Sequence, residues 1–126
     1  MDTSNHIIQL CLEGSRAELE HRLDDARLLY QQAWDAHTDD YEACIGAHYL
    51  ARFQDSAEAS LRWNQIALER AEKVKDERVK EFYPSLYLCL GRSHEVLGNL
   101  LEAQRYYHLA AKLGAVHLEE DPSTNE

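Results

Sequence analysis

The sequence predicts an all-α fold of antiparallel helical hairpins. Only two prolines and five glycines interrupt the 126 residues, and alanine, leucine, glutamate and arginine, which favour helix, dominate the composition. Valine and isoleucine, which favour strands, are scarce. Apolar residues recur every three or four positions along nearly the whole chain, which is typical of amphipathic helices. The length fits a single domain.

Six helices are expected, separated by polar or glycine-containing turns. Side chains that cap helix N-termini precede the first, third and fourth helices. The candidate caps are Asp2, Thr3 or Ser4; Thr38, Asp39 or Asp40; and Asp55 or Ser56. The second helix begins near Leu23, the fifth near Pro84, and the sixth after the Gly98-Asn99 turn. The expected last residues are, in order, about Leu19, His37, Phe53, Lys75, Leu97 and Leu113.

The stretch ERAEKVKDERVKE, residues 69–81, holds ten charged side chains in thirteen. A run of this kind is typical of a solvated helix face. Its Glu69–Lys73 and Asp76–Lys80 pairs have the i,i+4 spacing that stabilises helices. We therefore expect a lengthened helix pair here rather than a long loop. The acidic tail, residues 117–126, is expected to be disordered.

An internal repeat is visible in four columns of the sequence. A small residue is followed after twelve positions by alanine, after four more by an aromatic residue, and after three more by an apolar residue. The three sets are Gly14, Ala26, Tyr30 and Ala33; Ala47, Ala59, Trp63 and Ile66; and Gly91, Ala103, Tyr107 and Ala110. Offsets of 33 and 44 residues separate the sets. The units cover about 7–40, 40–76 and 77–115.

The last unit resembles the tetratricopeptide repeat family. The family pattern is W-x₂-L-G-x₂-Y…A-x₃-F…P. The matching residues are Tyr87, Leu90, Gly91, His94, Gly98, Ala103, Tyr107 and Ala110. His94 stands where the family prefers tyrosine and Ala115 where it prefers proline, and the first two units are more degenerate. The resemblance covers residues 8–115. It implies a right-handed α-α superhelix of about three helical hairpins, a single domain over residues 1–116.

Hairpins of this type complete their cores by stacking on one another. Small residues let two helix backbones approach closely, and an aromatic ring fills the adjacent space. The positions expected to pack the repeat are Gly14, Ala26, Tyr30, Ala47, Ala59, Trp63, Gly91, Ala103 and Tyr107.

The resemblance also implies a concave groove that binds extended peptides and is lined by the first helix of each hairpin. We call this surface the candidate groove. By register its residues are Cys11, Ser15, Glu18, Tyr41, Cys44, His48, Arg52, Leu88, Arg92 and Glu95. The two arginines can bind a ligand carboxylate or phosphate, or form resting ion pairs with the two glutamates. Cys11 and Ser15 replace the lysine/asparagine clamp of some members, so binding of chaperone tails is not supported.

Motifs of catalysis and cofactor binding are missing from the sequence. There is no Walker loop, no GxGxxG and no Cys-x-x-Cys, and HEVLG lacks the second histidine of a metalloprotease helix. Cys44 and His48 lie one helical turn apart, which suits a metal or redox cluster, a nucleophile pair, or two small residues of a buried face. No orienting group or oxyanion site accompanies them. We expect no enzymatic activity, no cofactor and no metal.

The charge bounds the class of partner. The net charge is −10, with a pI near 5.1 and no basic stripe, which argues against nucleic acid and anionic membranes. Residues 1–40 carry nine acids and three bases, which favours a basic partner there, unless the charge serves solubility alone. No signal peptide or stretch of about 20 apolar residues is visible. Three well-separated cysteines suggest reduced thiols and a cytoplasmic protein.

The expected function is a non-catalytic scaffold that binds a protein or peptide. One alternative is a self-associating structural module, a homodimer through an uncapped repeat end that offers Tyr106, Leu109, Leu113 and Val116. A second alternative is a ligand-sensing regulatory domain that uses Cys44, His48 and Arg52.

Overall fold

A computed structural model of the chain describes residues 4–114, and within them it contains six α-helices and no strand. The prediction of an all-α chain is confirmed. The helices are α1 His6–Leu19, α2 Leu23–Ala36, α3 Asp40–Leu50, α4 Ala57–Lys73, α5 Tyr83–Val96 and α6 Leu100–Lys112. Two 3₁₀ helices, Ala51–Phe53 and Glu77–Phe82, precede α4 and α5.

Consecutive helices pack against one another in chain order. The pairs α1–α2, α3–α4 and α5–α6 pack most extensively, and α2–α3 and α4–α5 join one pair to the next. Helix α1 also contacts α3. The largest fully buried side chains are Tyr30, Ile8, Ile45, Leu50, Leu86, Leu90, Cys11 and Cys44. The middle helix α3 is therefore covered from several directions.

Helix N-termini are capped as the sequence predicts in two cases of three. The Asp39 side chain accepts the Glu42 N–H at 2.8 Å, and that of Ser56 accepts the Ala59 N–H at 3.0 Å. At α1 the cap is Asn5, whose Oδ1 accepts the N–H groups of the second and third helical residues. The prediction of Asp2, Thr3 or Ser4 is wrong, because an asparagine directly before His6 has the better position.

The charged run does not form the lengthened helix pair that we expected. Helix α4 ends at Lys73, and the chain is extended at Val74 before the 3₁₀ helix. Asp76 caps that 3₁₀ helix and pairs with Arg78 at 3.0 Å, while Lys80 pairs with Glu77 at 2.7 Å. The predicted Asp76–Lys80 pair is therefore replaced, because a capping aspartate ends the α-helical register.

The α1–α2 and α5–α6 turns have the same geometry. At Gly98 the φ angle is +82°, and the N–H groups of Gly98 and Asn99 donate to the Glu95 and His94 carbonyls. His21 lies at the equivalent position with φ of +62°, and the same two hydrogen bonds close its turn. Both are Schellman motifs, in which the left-handed residue is usually glycine. Gly98 is therefore a helix stop, as its sequence position predicts.

We expect His21→Gly to stabilise the fold by roughly 0.5–1 kcal/mol, because it removes the left-handed strain of a residue with a side chain. Urea unfolding of both proteins measures the change. His21→Ala is the matched control: it keeps Cβ and should gain nothing. An equal gain from both substitutions would show that the imidazole, not the backbone, causes the effect.

Candidate functional site

Two glycines lie under tyrosine rings in the same way. A Cβ atom built on Gly14 would come within 3.0 Å of the Tyr30 ring, and one built on Gly91 would come equally close to the Tyr107 ring. Both tyrosines lie sixteen residues after their glycine, and 77 residues separate the two pairs. The glycines inside α1 and α5 are therefore required by packing against α2 and α6.

The hairpin of α3 and α4 packs differently at the equivalent repeat positions. Ala47 is fully buried, but Trp63 and Ala59 are only partly buried. Trp63 packs edge-on against Trp34, with ring centroids 5.0 Å apart. The close backbone approach here is at Gly46, where a Cβ would lie 3.1 Å from the Trp34 Cα. This contact between α2 and α3 was not predicted from the repeat columns of the sequence. Of the remaining packing positions, Ala26 and Ala103 are buried as expected.

The same two tyrosines fix a pair of carboxylates. The Tyr30 hydroxyl donates to Glu18 at 2.5 Å, and the Tyr107 hydroxyl donates to Glu95 at 2.7 Å. Burial, and then the hydrogen bond to Glu18, raise the pKa of Tyr30 above its usual range. In each case the glutamate lies four residues after the glycine under the tyrosine ring. One three-residue arrangement thus occurs twice.

Glu18 also binds an arginine of the next hairpin. The Arg52 guanidinium donates to Glu18 Oε2 at 2.7 Å, which joins α1 to the 3₁₀ helix after α3. This is the resting ion pair that was one of the two alternatives for Arg52. About half of the Arg52 side chain is exposed, so part of the guanidinium faces solvent.

Arg52 and Arg92 lie near the same thiol. Burial raises the pKa of Cys89, and the Arg92 and Arg52 guanidinium groups act in the opposite direction. Arg92 is exposed on α5 and borders a cavity of about 200 Å³, together with Ala57, Ser60, Ser93 and Val96. Cys89 was not among the predicted groove residues, and the only signal for it in the sequence is its place one helical turn before Arg92.

His48 presents an enclosed imidazole next to Arg52. Its Nδ1 atom is buried and has no hydrogen-bond partner among residues 4–114. The ring meets Tyr49 edge-on, with centroids 5.3 Å apart. Burial, and then the Arg52 charge, lower the pKa of His48 to about 4. The imidazole is therefore neutral at pH 7.

This lowered pKa predicts a pH-dependent stability. Between pH 6.5 and about 4 the unfolded chain binds a proton that the folded His48 does not, so stability falls as the pH falls through this window. The contribution is up to about 3 kcal/mol. Urea midpoints at pH 7 and pH 4.5 should differ less in His48→Gln than in the wild type. The control is His108→Gln on the exposed side of α6. Equal differences in all three proteins would contradict the assignment.

Three of the predicted groove residues lie in the core instead. Cys11, Tyr41 and Cys44 are buried, and Tyr41 is covered by Arg78, 4.4 Å from its ring centroid, and by Phe82. We therefore remove them from the candidate groove, because their side chains do not reach the surface. Burial raises the pKa of Cys11 and Cys44 to about 12. The Cys44 thiol is thus protonated near neutral pH and is a poor nucleophile.

The remaining groove candidates keep an accessible surface. Arg52 and Arg92 are exposed, and the others are partly exposed. The residues that stay in the candidate groove as predictions are Ser15, Glu18, His48, Arg52, Leu88, Arg92 and Glu95.

Two other kinds of feature are not found among residues 4–114. No group of three or more histidine, cysteine, aspartate or glutamate side chains is arranged there to hold a metal ion. Within the same residues, no helix combines the length and apolar character needed to cross a bilayer. The predicted tail, residues 117–126, lies outside the described part of the chain.

Comparisons with known proteins give no family. No protein-family model, curated protein or solved structure matches the chain.

Proposed function

We propose that this chain is a non-catalytic scaffold, a tetratricopeptide-like stack of three helical hairpins that binds an extended peptide in the candidate groove. The observation that carries the proposal is the recurring arrangement of glycine, glutamate and tyrosine. Gly14, Glu18 and Tyr30 make the same contacts as their counterparts 77 residues later. Equivalent contacts at equivalent positions support a repeat in which the hairpins stack in one direction.

The polar chemistry of the groove fits peptide binding. Ser15, His48 and Arg92 occupy one repeat position on α1, α3 and α5, at the offsets of 33 and 44 residues. The hydroxyl and the guanidinium provide donors and acceptors for the backbone and side chains of a peptide, and the imidazole is neutral. The Cys44 thiol is buried and its raised pKa keeps it protonated, so it gives no support to nucleophilic catalysis.

A displayed library of random twelve-residue peptides, selected on the immobilised full chain, tests this function. Fluorescence anisotropy of the selected peptides should give saturable binding that Arg92→Glu weakens by about tenfold. The matched control is Arg62→Glu, an exposed arginine of α4. A library without any selected peptide, or equal loss with both substitutions, would contradict groove binding.

A second candidate function is self-association through the last hairpin. Leu100 and Leu101 at the start of α6 are 60 % and 84 % exposed, which is unusual for leucine side chains lying side by side. Of the residues named for this role, Tyr106 instead packs inside its own hairpin, its ring stacked 5.7 Å from that of His94. Val116 lies outside the described residues. Light scattering at micromolar concentration should then give twice the mass of 14.6 kDa, and Leu101→Glu should restore one chain.

A further inference from the structure

We propose that the candidate groove selects a peptide with one acidic side chain and, about three residues to either side of it, an aliphatic side chain. This inference rests on the proposed function and names the class of peptide bound. It starts from Leu19, Arg52 and Val96, each five positions after the small residue of its repeat unit. We call these three residues the rim.

The rim residues occupy equivalent places in the fold. Leu19 is the last residue of α1, Val96 is the last residue of α5, and Arg52 lies in the 3₁₀ helix that directly follows α3. Leu19 is 83 % exposed and Val96 is 73 % exposed. Arg52 thus has an exposed aliphatic side chain at the equivalent position of the unit before it and of the unit after it, and an apolar residue of a ligand would cover each of them.

The fully exposed charges among the candidate groove residues are positive although the whole chain is acidic. Arg52 and Arg92 are exposed, whereas Glu18 and Glu95 are less exposed and each accepts a tyrosine hydroxyl. Glu18 accepts one Nη of Arg52 and thereby holds the guanidinium in place. A guanidinium has five N–H donors, so the exposed part of Arg52 can bind a second carboxylate from a ligand.

Helix spacing sets the distance between the three subsites. Helix α1 contacts α3, and packed helices lie about 8–10 Å apart. Helix α5 packs against α4, the hairpin partner of α3, and the Arg52 charge acts on the Cys89 thiol of α5. An extended peptide in the polyproline II conformation advances about 3.1 Å per residue and returns every third side chain to the same face, so one helix spacing corresponds to roughly three residues.

Three labelled nonapeptides, TLTTDTTLT, TLTTNTTLT and TLTTKTTLT, test this selectivity by fluorescence anisotropy with the full chain. Their threonine spacers disfavour helix and keep the probes extended. We expect the peptide with central aspartate to bind about tenfold more tightly than the one with asparagine, and the lysine peptide to bind most weakly. Arg52→Glu should invert this order. Leu19→Glu and Val96→Glu should each weaken the aspartate peptide about tenfold.

The controls are Leu28→Glu on α2 and Arg62→Glu on α4, which replace similarly exposed residues away from the rim. Both should stay within about twofold of the wild type. Equal affinity for the three peptides, or equal effects of the Arg52 and Arg62 substitutions, would overturn the inference. So would an absence of binding by all three nonapeptides. If display-selected peptides still bind and depend on Arg92, the proposed function survives that result; if none is selected, both fail.

A second copy of the chain is the competing occupant of the rim. Light scattering of the wild type and of Leu19→Glu decides between the two. We expect the wild type and Leu19→Glu to have the same mass at the concentrations used for anisotropy. A wild-type dimer that Leu19→Glu dissociates would overturn the peptide assignment and make the rim a self-association surface.

Discussion

We expect Gly91→Leu to destabilise the fold by about 3 kcal/mol, because the leucine side chain must occupy the space of the Tyr107 ring. The smaller substitution Gly91→Ala tests whether contact with the Tyr107 ring causes the destabilisation. A Cβ added to Gly91 on the wild-type backbone would lie within 3.0 Å of Tyr107 ring atoms, so the substitution should cost about 1–2 kcal/mol despite the helix propensity of alanine. In a Tyr107→Ala background the ring is gone. There Gly91→Ala should stabilise by up to about 1 kcal/mol.

This reversal of sign is measured with urea unfolding of the four proteins of the cycle. Gly98→Ala is the comparison, since its φ is +82° and nothing lies within 4 Å of an added Cβ. That substitution should cost about 1 kcal/mol in both backgrounds, because the cost comes from the backbone. If Gly91→Ala costs the same with and without the Tyr107 ring, the close contact is not the reason for the glycine.

Tyr30→Ala destabilises by about 4 kcal/mol, the largest effect of a single truncation that we expect. Tyr30 is fully buried, stacks on Tyr49 with centroids 4.9 Å apart, and meets Phe53 at 5.6 Å. Its hydroxyl donates to Glu18. Tyr30→Phe keeps the ring and should cost only about 1–2 kcal/mol, the usual effect of losing a partly buried hydrogen bond to a charged group.

The counterpart Tyr107→Ala serves as the matched comparison. Tyr107 has the same contacts with a glycine and a glutamate, but it is partly exposed because no later helix among residues 4–114 covers α6. Denaturant unfolding should therefore show a smaller loss of folding free energy for Tyr107→Ala than for Tyr30→Ala. A loss as large as that of Tyr30→Ala would show that the neighbouring hairpin adds little to the packing of this ring.

Helix positions were predictable from the sequence because apolar spacing and capping residues are local signals. All six helices lie where the pattern places them. The ends differ by a few residues, as at Asn5 and Lys73. The 3₁₀ helix Glu77–Phe82 was not predicted, because its charges suit an α-helical face equally well. The capping role of Asp76 decides the local structure, and it competes with the i,i+4 pairs that the sequence also offers.

The repeat register of the sequence predicted part of the candidate site. Register correctly brought Arg52 to Glu18 and placed a tyrosine over Gly14 and over Gly91. It placed Tyr41 in the candidate groove and left a buried face as only one of the alternatives for Cys44, because their burial depends on what covers α3. Phe82 and Arg78, about forty residues away in the sequence, pack on Tyr41. Such long-range contacts leave no periodic signal.

The central claim is that a peptide binds along α1, α3 and α5. The most direct measurement is a series of nitrogen–proton NMR correlation spectra of the full chain during titration with a display-selected peptide. The account predicts the largest shift changes at Ser15, His48, Arg52 and Arg92, and small changes on α2, α4 and α6. Largest changes around Leu28, Arg62 and Gln104, with the groove residues unmoved, would contradict it.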